Sequence, residues 1–234
     1  MRPIDGLFER RSRRTGFFGA GLPKERNGRL QGMPTGVLHE QAPFFMDFRS
    51  ALRQNQATED RVTLQEGRFA GGTTKQVSLI NLTLANWFER DHEGQVDRLF
   101  SPTIDPDTVG PAGLNLEDYN EVESVDPEAL ASVAREHNVV GHAQKMAHLR
   151  EDGRPPILRR DVNSDDNMEA GIVFVSLQRD FEDFRRLRLA MEGRELDGEG
   201  AVKEAKNNGI LQYLSTRRRG NFLIPPREQR AFPS

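Results

Sequence analysis

The stretch Gly171-Ile-Val-Phe-Val-Ser-Leu-Gln178 limits this chain's fold more than any other. It is rich in β-branched and aromatic residues and reads as a strand. Ile172 and Phe174 point to one side of it, Val173, Val175 and Leu177 to the other. A strand that is apolar on both sides needs cover on both faces. Helices must supply one cover, and something else the second.

Other segments supply the helices and further strands. From about Thr73, Val77, Leu79 and Asn81 alternate with Ser78, Ile80 and Leu82, which predicts a strand. Leu84, Trp87 and Phe88 then fall at helical spacing, and Asp91 is placed to cap a second short helix carrying Val96, Leu99 and Phe100. Residues 101–125, with their acids, prolines and glycines, read as a loop. Asp126-Pro127-Glu128 opens a helix that reaches about His137, and Ile157 to Val162 is a short strand. Asp180 caps a helix with Phe181, Phe184, Leu187 and Met191 on one face, ended by Gly193. Gly220 to Ile224 is a last strand, closed by Pro225-Pro226.

The order is strand, helix, strand, strand, helix, strand. It predicts an α+β fold, a ferredoxin-like βαββαβ antiparallel sheet with its helices on one face. Residues 1–70, rich in Gly, Pro and Arg, precede it as a long irregular N-terminal arm or connector, which leaves 71–234 as the ferredoxin-like domain. The second face of the sheet falls to the insertion after the first helix, a flat apolar cofactor, another subunit or a missing domain.

Composition narrows the partners. The chain has no cysteine, which excludes disulfides, cysteine–zinc sites, iron–sulfur clusters and a thiolate haem ligand. A net charge of −3 argues against nucleic acid or an anionic membrane as partner. No apolar run approaches the ~18 residues of a membrane span. Ser12-Arg13-Arg14-Thr15-Gly16-Phe17-Phe18 superficially matches a twin-arginine export signal, but Gly19-Ala20-Gly21-Leu22-Pro23-Lys24 follows instead of an apolar stretch. It reads as a surface loop, so the compartment is open, with the cytoplasm as default.

Several segments, taken in order, resemble the second half of the DyP-type (dye-decolorizing) peroxidases. Gly71-Gly72-Thr73, a strand, then Leu84 to Trp87 is similar to their Gly-Thr strand ending in Leu-x-x-Trp. Ile157-Leu158-Arg159-Arg160-Asp161 resembles their Leu-Arg-Arg-Gly segment, and Gly171 to Gln178 their Gly-Leu-Leu-Phe-Val strand. Asn221 to Pro226 is similar to their terminal Gly-Tyr-Phe-Phe-x-Pro-Pro, and His142 precedes Arg159 by 17 residues, close to the family spacing of proximal histidine and distal arginine. The likeness spans roughly residues 44–232.

The resemblance implies a haem b lying against the sheet, with His142 as iron ligand and Arg159 as the cation over the iron. It also implies an acid–base carboxylate that moves a proton of the bound peroxide. At that place the family's Gly-Phe-x-Asp-Gly reads Asp47-Phe48-Arg49-Ser50-Ala51, so Ser50 stands where the family has aspartate. Asp47, three residues away, replaces a glycine. The reading is a haem-binding, peroxidase-like protein with impaired or lost peroxide turnover. The alternative is a non-enzymatic, truncated or split member, pairing with itself as a homo-oligomer or with a separate N-terminal half.

Plainer readings stand beside these. His148 is an alternative iron ligand, and His137, His142 and His148 lack the spacing of a metal cluster on one helix. Arg159 and Arg160 should face opposite ways on a strand, with Asp161 an ion-pair partner for a neighbour. Gly67 to Lys75 lacks the Lys-Ser/Thr that must follow the second glycine of a phosphate loop. Arg217-Arg218-Arg219 reads as a solvated turn, with haem propionates or a partner as other options.

Overall fold

The computed structural model describes residues 13–48, 56–113, 127–194 and 208–230. After two short helices, Leu22–Arg26 (α1) and Glu59–Val62 (α2), the chain enters the strand Thr73–Leu82 (β1). Leu84–Phe88 (α3) and His92–Leu99 (α4) follow, the second capped by the Asp91 carboxylate, which accepts from the Gly94 N–H at 3.0 Å. Pro106–Val109 (α5), Pro127–His137 (α6) and His142–Ala147 (α7) lead to the strands Leu158–Arg159 (β2), Val162–Ser164 (β3) and Gly171–Gln178 (β4). Phe181–Met191 (α8) and Leu214–Ile224 (β5) complete the order. No described helix is long and apolar enough to cross a membrane.

All strand pairs are antiparallel, in the order β2–β4–β1–β5, with β3 also on β4. With β2 and β3 taken as one broken strand, this is the ferredoxin-like arrangement. Helices α7 and α8 lie on one face.

Three local expectations need correction. The loop at 101–125 contains α5, because Asp105 caps a turn begun by Pro106. The strand expected from Ile157 to Val162 is two pieces interrupted at Arg160 and Asp161. The last strand starts at Leu214, so Arg217, Arg218 and Arg219 are strand residues and not a turn. There β1 pairs with β5 across its whole length, Arg219 opposite Ser78 and Arg218 opposite Leu79, with Arg217 bulged at the register shift between Leu79 and Ile80.

The two faces of the sheet differ in cover. Ser78, Ile80, Ile172 and Phe174 share the face toward α7 and α8. On the other, Val77 lies opposite Val175 and Leu79 opposite Val173, all partly exposed, and Phe222 beside them is 52% exposed. Both sides are apolar, as the alternation in β4 requires, but among the described residues only one is closed.

The arm has little regular structure yet supplies much of the core. Phe17, Leu30, Leu38, Phe45, Met46 and Phe48 are buried in one cluster with Trp87. Trp87 is fully buried, donates from Nε1 to the Met46 carbonyl at 3.0 Å, and meets the Phe48 and Tyr213 rings edge-on.

Asn163 on β3 ties arm to sheet. Its backbone exchanges two hydrogen bonds with Phe17, of 2.9 and 3.0 Å. Its buried amide accepts from the Phe45 N–H at 3.1 Å and donates to the Pro43 and Phe17 carbonyls at 2.8 and 3.2 Å. Truncation strands two buried backbone groups, the Phe45 N–H and the Pro43 carbonyl, and removes the second bond to the Phe17 carbonyl. Asn163→Ala is expected to lower unfolding free energy by about 3 kcal/mol, measured by denaturant titration; a change within a few tenths would show that the arm holds without this clamp.

Candidate functional site

A cavity of about 260 Å³ lies between the helix-bearing face of the sheet and α7 and α8. Its floor includes Ser78, Ile80, Ile172 and Phe174, and Leu187 and Met191 of α8 and Met146 of α7 wall it. Phe44, Met46 and Phe48 of the arm close another side. The lining is mostly apolar, with charged groups at separate points.

His142 is one of them. The local sequence Val-Val-Gly-His places it at the first turn of α7, a helix that the periodicity did not reveal. Gly141 allows this because the backbone passes against α4; a Cβ there would sit 1.8 Å from the Phe100 carbonyl oxygen. The Gln144 side chain accepts from the Gly141 N–H at 3.0 Å and fixes the turn. Dehydration, with help from the nearby charges of Lys145 and Arg159, pushes the imidazole pKa down to about 3. The ring is therefore neutral at ordinary pH, as a metal-ligating nitrogen must be. No described residue accepts a hydrogen bond from it.

Arg159 lines the same cavity from β2, while Arg160 turns outward into solvent. The pair obeys the strand alternation expected of it. Asp161 follows where the strand breaks, its Oδ2 lying 3.9 Å from Arg159 Nη1. Its side chain is 8% exposed, and Oδ1 has no hydrogen-bond partner. Burial raises its pKa, opposed by the Arg159 charge and a hydrogen bond with the Val175 backbone. Arg150, Arg188 and Arg219 add positive charge to the lining. Arg188 pairs with Glu192 at 3.6 Å, and Arg219 donates to the Ser78 hydroxyl at 3.3 Å.

The cavity thus combines His142 and Arg159, which sequence singled out as site residues, with Asp161, read from sequence as an ion-pair partner, Arg219, read mainly as part of a solvated turn, and the arm's phenylalanines, which sequence did not single out. The clue to Asp161 was an acid where the resembled segment has glycine. Nothing in the local pattern foretold that the arm folds back as a wall. Ser50 lies outside the described residues. His137 and His148 do not line the cavity, and no three acids or histidines among the described residues lie close enough to hold a metal ion. The site also lies on the covered face of the sheet. The expectation that a cofactor seals the bare face is corrected: a molecule here would leave Val77, Val173 and Val175 as they are.

Asp47 belongs to the arm's turn, not to the cavity wall. It sits at φ 66° and accepts from the His39 N–H at 2.7 Å. Burial raises its pKa to about 6.

The residues present suit a haem: one neutral imidazole, apolar walls, and guanidinium groups for two propionates. The cavity has one accessible nitrogen ligand and no thiolate, matching a histidine-held b-type group.

Comparison with known proteins bears on the fold. Residues 2–226 match the model of a family of unknown function, DUF7405. No curated protein matches the chain. Among solved structures it is similar to a variant of Rhodococcus jostii RHA1 DypB in complex with heme (16% identity, TM-score 0.54, covering 79% of this chain and 52% of that one). It is similar to a dye-decolorizing peroxidase from Bacteroides thetaiotaomicron VPI-5482 (17%, TM-score 0.52, 78% and 51%). A third is a putative DyP-type peroxidase protein from Shewanella oneidensis (16%, TM-score 0.51, 77% and 51%). The chain spans about half the length of these structures and shares the DyP-type α+β fold over that half.

The raised pKa of Asp47 carries a sign. A carboxyl whose folded pKa exceeds its unfolded one favours the fold below the unfolded value and opposes it as pH rises through about 6. Asn tolerates the left-handed backbone and keeps the bond from His39. Asp47→Asn is expected to stabilise the protein at pH 8 by on the order of 1 kcal/mol, after allowance for partial exposure, and by nothing at pH 3. Thermal melts at the two pH values test this; a loss of stability at pH 8 would mean the charge itself is needed.

Proposed function

For a chain that belongs to the family of unknown function DUF7405 and has about half of a DyP-type fold, we propose a haem-binding protein of the DyP peroxidase kind. The observation that carries this reading is the meeting of His142 and Arg159 in one apolar cavity. Two positions 17 residues apart in sequence, chosen for their resemblance to a ligand and a distal arginine, converge there. His142 would hold the iron, and Arg150, Arg188 and Arg219 offer charge for the propionates. A haem b bound there supplies peroxide-reactive redox chemistry. The chain's own residues would exclude water through Phe48, Phe174 and Leu187, and the Arg159 guanidinium, which lines the same cavity, would offset negative charge developing there. Ser50 has no carboxylate to act as the base at the family's position, so turnover is expected to be slow unless another group of the cavity serves.

Titration of the purified protein with hemin is expected to give a sharp, saturable Soret band. His142→Ala should weaken hemin binding at least tenfold and shift the band. Equal bands in both proteins would overturn His142 as ligand, and no band in the wild type would overturn the haem reading altogether.

One observation favours a second, non-enzymatic reading. The partly exposed Val77, Leu79, Val173 and Val175 form an apolar sheet face with no cover among the described residues. A second copy of the chain, apposed face to face, would close it. Sedimentation is expected to show a concentration-dependent dimer that Val175→Lys abolishes. A monomer at every concentration would remove this reading.

A further inference from the structure

Proton transfer in this cavity requires a base, and the described lining holds two carboxylates, Asp161 and Glu192. Glu192 is committed: Arg188 lies 3.6 Å from one of its oxygens and Arg194 3.0 Å from the other. Asp161 differs. Its side chain is 8% exposed, its Oδ1 has no hydrogen-bond partner, and Arg159 stands 3.9 Å from its Oδ2. An ordinary structural ion pair would bring a guanidinium into hydrogen-bonding range and occupy both oxygens. Here one oxygen is desolvated and unused, which costs free energy unless a ligand or proton meets it.

The local backbone explains how an acid comes to this place. The edge strand breaks between Arg159 and Val162, and Asp161 sits in the break, level with Phe174 on the cavity face. Arg159 is two residues earlier on the same face. A cation and a carboxylate are thus delivered side by side by one short segment.

We propose that Asp161 is the proton-accepting group of this cavity, acting beside Arg159. The inference rests on the haem reading above and adds the base that position 50 lacks. The step is a proton transfer with no change in electron count. An acid H–X entering the cavity gives its proton to Asp161 Oδ1, the carboxylate becomes a carboxylic acid, and X⁻ keeps the bonding pair. For hydrogen peroxide the product is the hydroperoxide anion, whose charge Arg159 balances. The titratable and charged groups that line the cavity with Asp161 are Arg159 on its own segment, the neutral His142 on α7, Arg150 after it, Arg188 on α8, Glu192 at the end of α8, and Arg219 on β5. Arginines stay charged throughout, and Glu192 is held by two of them. Burial raises the Asp161 pKa, so Asp161 is the carboxylate to test for a pH dependence of the proton transfer, with Glu192 the control.

Cyanide is the probe, because HCN must lose its proton to bind ferric haem. With hemin-loaded protein, Asp161→Asn is expected to slow cyanide association at least tenfold at pH 7 while hemin affinity stays within twofold. Asp161→Glu should restore most of the rate, and Glu192→Gln should leave it unchanged. Infrared difference spectra on cyanide addition should show a carboxylic-acid C=O band in the wild type that Asp161→Asn lacks. A purely structural role would move stability but leave that band. Wild-type cyanide kinetics in Asp161→Asn, or an unchanged infrared band, would overturn the proposal while the haem reading stands. A wild type that binds no hemin would overturn both. If Asp161→Asn does not fold, a wild-type cyanide rate that is flat from pH 4 to 8, with no carboxylic-acid band, overturns it as well.

Discussion

The attachment of the N-terminal arm to the sheet edge through Asn163 is the constraint on which the rest depends. Five hydrogen bonds, two from its backbone and three from its side chain, hold Phe17, Pro43 and Phe45 against β3. Between and beyond those points the arm has almost no regular structure to stabilise it. Its apolar residues stay inside only because the backbone between them is anchored, and the Trp87 bond to the Met46 carbonyl anchors it again. Phe44, Met46 and Phe48 become a cavity wall by the same act. Without the clamp the helix-bearing face of the sheet would be open to water on that side.

The sheet divides its chemistry by strand position as well as by face. Near one end of the covered face, Thr74, Gln76, Ser176 and Gln178 are buried polar residues bonded mainly to close neighbours: Gln76 to Ser78 at 2.6 Å, Ser176 to Gln178 at 2.9 Å, Gln178 to Thr74 at 3.1 Å. Near the other, Ile80, Ile172 and Phe174 are apolar and reach the cavity. Ser78 stands at the boundary and accepts from Arg219, so the polar end presents its last hydroxyl and a guanidinium to the cavity. An apolar ligand with charged edges is complementary to this gradient; a wholly polar or wholly apolar one is not.

How much of this was legible depended on whether the signal was local. The alternation in β1 and β4, the Asp91 and Asp180 caps and the Gly193 stop are properties of a few adjacent residues, and they set the ferredoxin-like order. His142 and Arg159 were legible through resemblance of segments, since neither has a local pattern marking it. Three things were not. The arm's core residues lack periodicity, because their burial follows from anchors far along the chain. The register of β5 puts Arg217 to Arg219 in a strand, where β1 supplies the missing apolar signal by pairing. The break at Arg160 and Asp161 arises because Asp161 turns into the cavity while Val162 resumes pairing opposite Val173. A sequence pattern registers an acid there, but not that its carboxylate is shut away from water.

The separation of the two faces decides how the chain's half-length relates to its cavity. Every wall named for the cavity comes from this chain: the arm, α7, α8 and the covered side of the sheet. Its shape does not draw on Val77, Leu79, Val173 or Val175, whose side chains leave the sheet in the opposite direction. Ligand binding and association through the bare face, as proposed, would therefore be distinct events joined only by the strands between them. Closing the bare face would stiffen β1 and β4, which carry Ser78 and Phe174 into the cavity, so any coupling runs through sheet rigidity and not through a shared surface. A protein of this design would gain affinity for a ligand on pairing only to the extent that the free strands fluctuate, which would place the energetic link in the strand pair β1–β4, the centre of the fold.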